Sequence, residues 1–93
     1  MLCYDWNHEK NEKLKAERGI SFEDIIEAIE LGGLMDTLDH HDQETYPNQK
    51  IYVIRALGYV YMVPFVRHDD LIFLKTIIPS RKAKKQYGVS GDV

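Results

Sequence analysis

The chain carries a set of side chains suited to binding an anion and to moving protons, most of them in its second half. Arg81 has a planar guanidinium fork that matches phosphate oxygens, and Lys75 and Lys82 add positive charge in the same stretch. Histidine exchanges a proton most readily near neutral pH, and His41 and His68 both lie in predicted loops. Chemistry on an anionic substrate requires these residue types.

The two halves of the chain differ in charge, although the whole has a net charge of only −3. Residues 1–49 hold twelve acidic and four basic residues, which gives −8. Residues 50–93 hold eight basic and three acidic residues, which gives +5. This asymmetry predicts a cationic face directed at an anionic partner. The alternative is that the charges solvate separate surfaces.

The run Asp39-His40-His41-Asp42 has residue types that can bind a metal. Adjacent residues on an extended chain point in opposite directions, and the sequence has no second cluster of ligands. We therefore expect neither a metal nor any other cofactor. The single cysteine, Cys3, excludes an intramolecular disulfide and is expected to be a small buried hydrophobe.

The length of 93 residues, with 44% hydrophobic and 29% charged residues, is typical of one globular domain. We predict a single domain over residues 1–93, with a core at 4–87 and a frayed tail at 89–93. The first residues lack the apolar run of a signal peptide, and no segment approaches the ~18 consecutive apolar residues of a membrane span. The cytoplasm is the predicted location.

The first forty residues predict two helices. Residues 7–18 are strong helix formers followed by Gly19, with Tyr4 and Trp6 as apolar anchors before them. Ser21 is a predicted N-cap for a helix over 22–31. Its apolar residues recur at helical spacing and are expected to be buried against a sheet: Phe22, Ile25, Ile26 and Ile29.

The rest of the chain has the two-residue period of strands. Strands are predicted over 34–39, 51–57, 59–66 and 71–78, with a loop over 40–48 and a short helix over 81–87. The short connections between the later strands favour antiparallel pairing, because parallel strands need a long crossover. The predicted fold is α+β, with two N-terminal helices on one face of an antiparallel meander of three to four strands. A short C-terminal helix follows, and the other face of the sheet is expected to be free.

Three motifs resemble one known family. They are Tyr4-Asp5-Trp6-Asn7 with Lys10 and Asn11, then Glu17-Arg18-Gly19-Ile20-Ser21-Phe22, and finally Pro79-Ser80-Arg81-Lys82-Ala83 with Tyr87. Together they resemble the BrnT family of bacterial toxins, whose fold is similar to that of RelE-type ribonucleases. The resemblance spans residues 4–87, although the stretch 75–81 is one residue longer than in the family and contains Pro79.

The resemblance implies a metal-independent endoribonuclease that halts translation as the toxin of a type II toxin–antitoxin system. It implies a partner, the antitoxin encoded next to it, with which the toxin assembles. Such cleavage needs a base, a stabilised phosphorane and an acid. Arg81 and Lys75 would stabilise charge, and one of His41, His68 or Tyr87 would transfer protons. The residues expected to bind RNA are Lys50, Arg55, Arg67, Lys82 and Tyr61; for Tyr61 and Tyr87, a packing role is the alternative.

The sequence raises two other functions. A binding module with this fold but without chemistry would use the cationic face only to hold a partner. A DNA-binding regulator is also conceivable, because two consecutive helices can form a helix-turn-helix. The second predicted helix, however, carries four carboxylates that phosphate would repel, namely Glu23, Asp24, Glu27 and Glu30. A regulator is therefore rejected.

Overall fold

A computed structural model describes residues 2–39, 42–45 and 47–86 of the chain. Its elements in chain order are β1 (Cys3–Trp6), α1 (His8–Arg18), α2 (Phe22–Glu30), β2 (Leu34–Asp39), β3 (Gln49–Ala56), β4 (Tyr59–His68), β5 (Leu71–Leu74), β6 (Ile78–Pro79) and α3 (Arg81–Gln86). The described residues form an α+β fold with one mixed sheet and three helices. The predicted frayed tail at 89–93 lies outside the described residues.

The sheet has the strand order β1-β5-β4-β3-β2, and β6 pairs with β4 beside β5. Strands β2 to β6 pair antiparallel, but β1 runs parallel to β5. The prediction of a wholly antiparallel meander was therefore wrong. The chain between β1 and β5, which includes both long helices, supplies the connection that parallel pairing requires. Tyr4 and Trp6 belong to this first strand.

The last predicted strand, over 71–78, is divided in the structure. β5 ends at Leu74, the Lys75 N–H still donates to the Pro64 carbonyl at 2.8 Å, and β6 then resumes on the same edge of β4. Pro79 is the last residue of β6. A proline, which has no N–H to donate, is tolerated there because β6 is a two-residue edge strand.

The side of the sheet that faces α1 and α2 holds the main core. Its buried members come from both helices and from alternate positions of the strands: Leu14, Ile20, Phe22, Ile25, Tyr52, Ile54, Ala56, Val63, Phe65, Ile72, Leu74 and Ile77. Phe22 and Ile25 are fully buried, whereas Ile26 and Ile29 are only partly buried at the margin of this core. The expectation of four buried positions on α2 is corrected to two.

The opposite side of the sheet is not free along its whole length. α3 packs there through Ala83, which forms a small cluster with Val53 and Val60. Met35 and Leu38 lie at its border.

The alternation in β1 also corrects the prediction for Cys3: Tyr4 and Trp6 pack on the main core, so Cys3 is exposed.

Capping residues define where α1 begins and ends and where α2 begins. Asn7 accepts a hydrogen bond from the Lys10 N–H, and Gly19 ends α1 in the left-handed region at φ 67°. Ser21 and Asp24 form a capping box at the start of α2. No helix in the described part of the chain is long and apolar enough to cross a membrane.

The Asn11 side chain links the two long helices. It is 1% exposed; its Oδ1 accepts from the Phe22 N–H at 2.7 Å, and its Nδ2 donates to Glu23 Oε1 at 2.7 Å. Both hydrogen bonds join α1 to the first turn of α2. The side chain therefore satisfies a buried backbone donor that the start of a helix leaves free.

Replacement of Asn11 with alanine is expected to lower the free energy of unfolding by about 1–3 kcal/mol, because the Phe22 N–H would stay buried without a partner. Urea unfolding of the two proteins measures this difference. Asn48→Ala, at an exposed turn position, is the control and should change stability by less than about 0.5 kcal/mol. Equal losses in both variants would contradict this role.

The hydrogen bond from Asn11 also lowers the pKa of the Glu23 carboxyl, with help from the Glu23 backbone N–H. A carboxyl with a lowered pKa in the folded state stabilises the protein above its unfolded pKa and loses that contribution as pH falls through the folded value. The stability gap between the wild type and Glu23→Gln should therefore shrink on acidification. The same gap measured in an Asn11→Ala background should depend less on pH; an unchanged dependence would contradict the assignment.

Candidate functional site

The candidate site is the cationic helix α3 at the start of β4. The Ser80 N–H donates to the Val60 carbonyl at 3.0 Å, and Ser80 Oγ accepts from the Ala83 N–H at 3.1 Å. These bonds and the buried Ala83 fix the helix on the sheet. Its four cations are Arg81, Lys82, Lys84 and Lys85. Within the described residues, none of them lies within 4.0 Å of a carboxylate oxygen.

A pocket of about 330 Å³ lies beside this helix. Lys82, Ser80 and Gln86 line one side, and Asp36 of β2 also contributes to the wall. The floor is apolar and includes Met62. The arrangement combines charge for an anion with an apolar surface, and Asp36 adds one opposing charge.

Tyr59 holds one of the α3 cations in place. The Lys84 ammonium lies over the Tyr59 ring, 4.9 Å from its centroid. Arg81, Lys82 and Lys85 are exposed. The charge that remains accessible to a ligand is therefore carried mainly by these three side chains.

Lys75 does not share this pocket. It lines a separate groove of about 710 Å³ with Lys10 and Lys13 of α1 and with Phe73 of β5. The sequence prediction grouped Lys75 with Arg81 in one cationic cluster. In the structure, Lys75 instead lies beside Lys10 and Lys13.

Arg81, Lys75 and His68 lie at different positions along β4. Ser80, which precedes Arg81, is bonded to Val60, and Lys75 is bonded to Pro64. His68 ends the strand. At ~3.3 Å per residue, the backbone at His68 lies about 26 Å along the strand from the level of Val60.

His68 is therefore remote from α3. Its side chain is 89% exposed, and its Nε2 lies 3.9 Å from Asp69 Oδ2. His41 and Tyr87, the other two groups predicted to transfer protons, lie outside the described residues. The described residues contain no group of three His, Cys, Asp or Glu side chains that could hold a metal ion, and His40 and His41 of the metal motif lie outside that part of the chain.

Two of the three cations predicted to bind RNA on β3 and β4 have local protein partners. Lys50 Nζ pairs with Asp39 Oδ1 at 2.9 Å across β2 and β3, and Arg67 Nε donates to the Asp69 carbonyl at 2.8 Å. Arg55 lines a pocket that also contains acidic residues of α2, among them Glu27. None of these three cations lines the pocket beside α3.

Tyr61 packs against the main core on the α2 side, with its ring centroid 5.7 Å from that of Tyr59. Burial, and then the neighbouring Tyr59 and Asp24, raise the pKa of the Tyr61 hydroxyl, which stays protonated at neutral pH. Its ring is a partly buried packing element, in line with the alternative stated for it from the sequence.

Sequence reasoning did not select Lys10 and Lys13, which line the groove with Lys75. They belong to the acidic half of the chain, where their charges are outnumbered. Their spacing of three residues on a helix was a usable signal, because residues three apart lie on one face.

Comparison of the chain with family models, curated proteins and solved structures gives no match.

Proposed function

We propose that the chain is the toxin component of a type II toxin–antitoxin system and acts on RNA in the cytoplasm. The BrnT-like motifs support this proposal, and an α+β domain with a sheet between α1, α2 and α3 is compatible with a RelE-like layout. The observation that carries it is the group of α3 cations, which is fixed beside a pocket and has no carboxylate partner in the described residues.

The proposed reaction is metal-independent cleavage of an RNA phosphodiester. The 2′-oxygen attacks phosphorus, the bond from phosphorus to the 5′-oxygen breaks, and a 2′,3′-cyclic phosphate and a 5′-hydroxyl result. A base takes the 2′ proton and an acid protonates the leaving oxygen. Arg81 stabilises the extra charge of the phosphorane, with Lys82 beside it. Because His68 lies at the far end of β4, His41 or Tyr87 is assigned to proton transfer.

The proposed partner is an acidic or amphipathic segment of an antitoxin. Residues 50–93 carry a net +5, and the pocket beside α3 adds an apolar floor. A bound segment with carboxylates near Lys82 and an apolar side chain on Met62 would cover the proposed site. Inhibition then follows from occlusion of the RNA-binding surface.

The experiment is inducible expression in a bacterial host, alone and together with the reading frame adjacent to it in its native genome. Growth should stop with the wild-type chain and continue with Arg81→Ala, and the neighbouring product should restore growth and copurify with the chain. Unaffected growth with the wild-type protein present in soluble form would overturn the proposal.

A second candidate function is a binding module without chemistry. The observation that favours it is the position of His68, which is the one proton-transfer candidate among the described residues. His68 lies about 26 Å along β4 from Val60, the level at which α3 begins. This function predicts that the partner still copurifies with the chain, while RNA stays intact and growth continues. The same expression experiment therefore separates the two functions.

A further inference from the structure

The groove between α1 and β5 is a second cationic surface, separate from α3. Its walls are formed by Asn7, Glu9, Lys10 and Lys13 from the start of the chain, and by Phe73 and Lys75 from the end of β5. Three lysines and one glutamate leave two net positive charges around about 710 Å³. The groove thus joins two lysines of the acidic half of the chain to one lysine of the basic half.

Side-chain contacts give this groove a mixed character. The Lys75 ammonium lies 5.6 Å from the centroid of the Phe73 ring, a cation–π arrangement that holds the charge beside an aromatic wall. Phe73 is partly exposed, and its neighbours across the sheet are Asp5 of β1 and Val66 of β4. The described lysines of the groove form no ion pair within 4.0 Å, so their charges are available to a ligand.

We infer that this groove binds a nucleotide of single-stranded RNA, with the phosphate between Lys10, Lys13 and Lys75 and the base against Phe73. Flexible lysines suit phosphate as point charges, and aromatic side chains next to cations hold unstacked bases. An acidic peptide would use the lysines but would gain little from the aromatic wall. The choice of RNA rests on the function proposed above, whereas the charge and shape of the groove do not.

The groove adds a second contact to the one at α3. Lys75 lies at the level of Pro64, and α3 begins at the level of Val60, which places the two backbones about 13 Å apart along β4. One strand of a few nucleotides spans this distance. The groove would therefore position the RNA chain while Arg81 acts at the phosphate that is cut.

The test is binding of a fluorescent single-stranded RNA hexamer to the full chain, followed by anisotropy. The double variant Lys13→Gln with Lys75→Gln should weaken binding about tenfold or more and should reduce the salt dependence, since each lost phosphate contact lowers the slope by ~0.7 for single strands. Lys15→Gln is the matched control: it lies on the same helix but pairs with Glu12 at 2.9 Å, and binding should change by less than twofold. Equal binding by the double variant and the control would overturn the inference.

A second measurement identifies the ligand and keeps the result interpretable. Phe73→Leu should weaken the hexamer but leave binding of inorganic polyphosphate unchanged, and a polyglutamate peptide should compete poorly with the hexamer. Effective competition by polyglutamate, with no effect of Phe73→Leu, would assign the groove to an acidic protein segment instead. Circular dichroism must show that each variant is folded. If the double variant is unfolded, the single variant Lys75→Gln is measured in its place.

The outcomes also separate this inference from the proposed function. If the wild type binds the hexamer through the groove but neither cuts RNA nor stops growth, the groove stands and the toxin function falls. If the wild type cuts RNA and the double variant binds as tightly as the wild type, only the groove falls.

Discussion

Replacement of Arg81 with alanine is expected to lower the rate of RNA cleavage by about 10²–10³-fold, by analogy with the loss of one transition-state donor. The guanidinium group would stabilise charge that is greater on the phosphorane than on the ground-state phosphate, so turnover should fall more than RNA affinity. Arg81 is exposed at the start of α3. The fold should therefore survive its removal, with an unchanged melting temperature.

Lys15→Ala is the control for this prediction. It removes one positive charge from α1, away from the candidate site, where Lys15 pairs with Glu12 at 2.9 Å. Its cleavage rate should stay within a few-fold of wild type, and antitoxin binding should be retained in both variants. Undiminished cleavage by Arg81→Ala would remove Arg81 from the mechanism, and equal losses in both variants would indicate only general charge attraction.

Replacement of Ile25 with alanine is expected to lower the free energy of unfolding by about 2–5 kcal/mol, the range for a large aliphatic side chain deleted from a core. Ile25 is 0% exposed and lies in the main core with Phe22. Ile26 is only partly buried, so Ile26→Ala should cost less than Ile25→Ala.

Chemical denaturation of the purified variants measures both losses. Leu31→Ala is the control, because Leu31 ends the same helix and is 80% exposed; its stability should change by less than about 0.5 kcal/mol. A loss for Ile26→Ala as large as that for Ile25→Ala would contradict the packing of α2 described above.

The elements with strong local signals were predictable from the sequence. Ser21 with acidic residues in the next turn predicted the start of α2, and the apolar spacing that follows predicted its packed face. β1 was missed because its partner is Leu71–Leu74, more than sixty residues away in the chain. A four-residue strand whose pairing is so distant has only Tyr4 and Trp6, at alternate positions, as a local signal.

The types of residue in the candidate site could be predicted from the sequence. Their spatial grouping could be predicted only in part. Arg81 and Lys82 of α3 were identified from the sequence, but Lys75 was grouped with them in one cationic cluster. Lys75 still bonds to Pro64 of β4 and lines a groove with Lys10 and Lys13 of α1 instead. The proximity of Lys75 to these two lysines depends on tertiary packing, which the distribution of charge along the sequence does not reveal.

The most direct test of the proposed function is incubation of the purified chain with a 5′-labelled RNA in the presence of EDTA. The proposal predicts discrete fragments that end in 2′,3′-cyclic phosphate, formed without divalent metal and at a rate that depends on Arg81. RNA that remains intact with a folded, antitoxin-free protein would contradict the proposal that this chain is a metal-independent endoribonuclease.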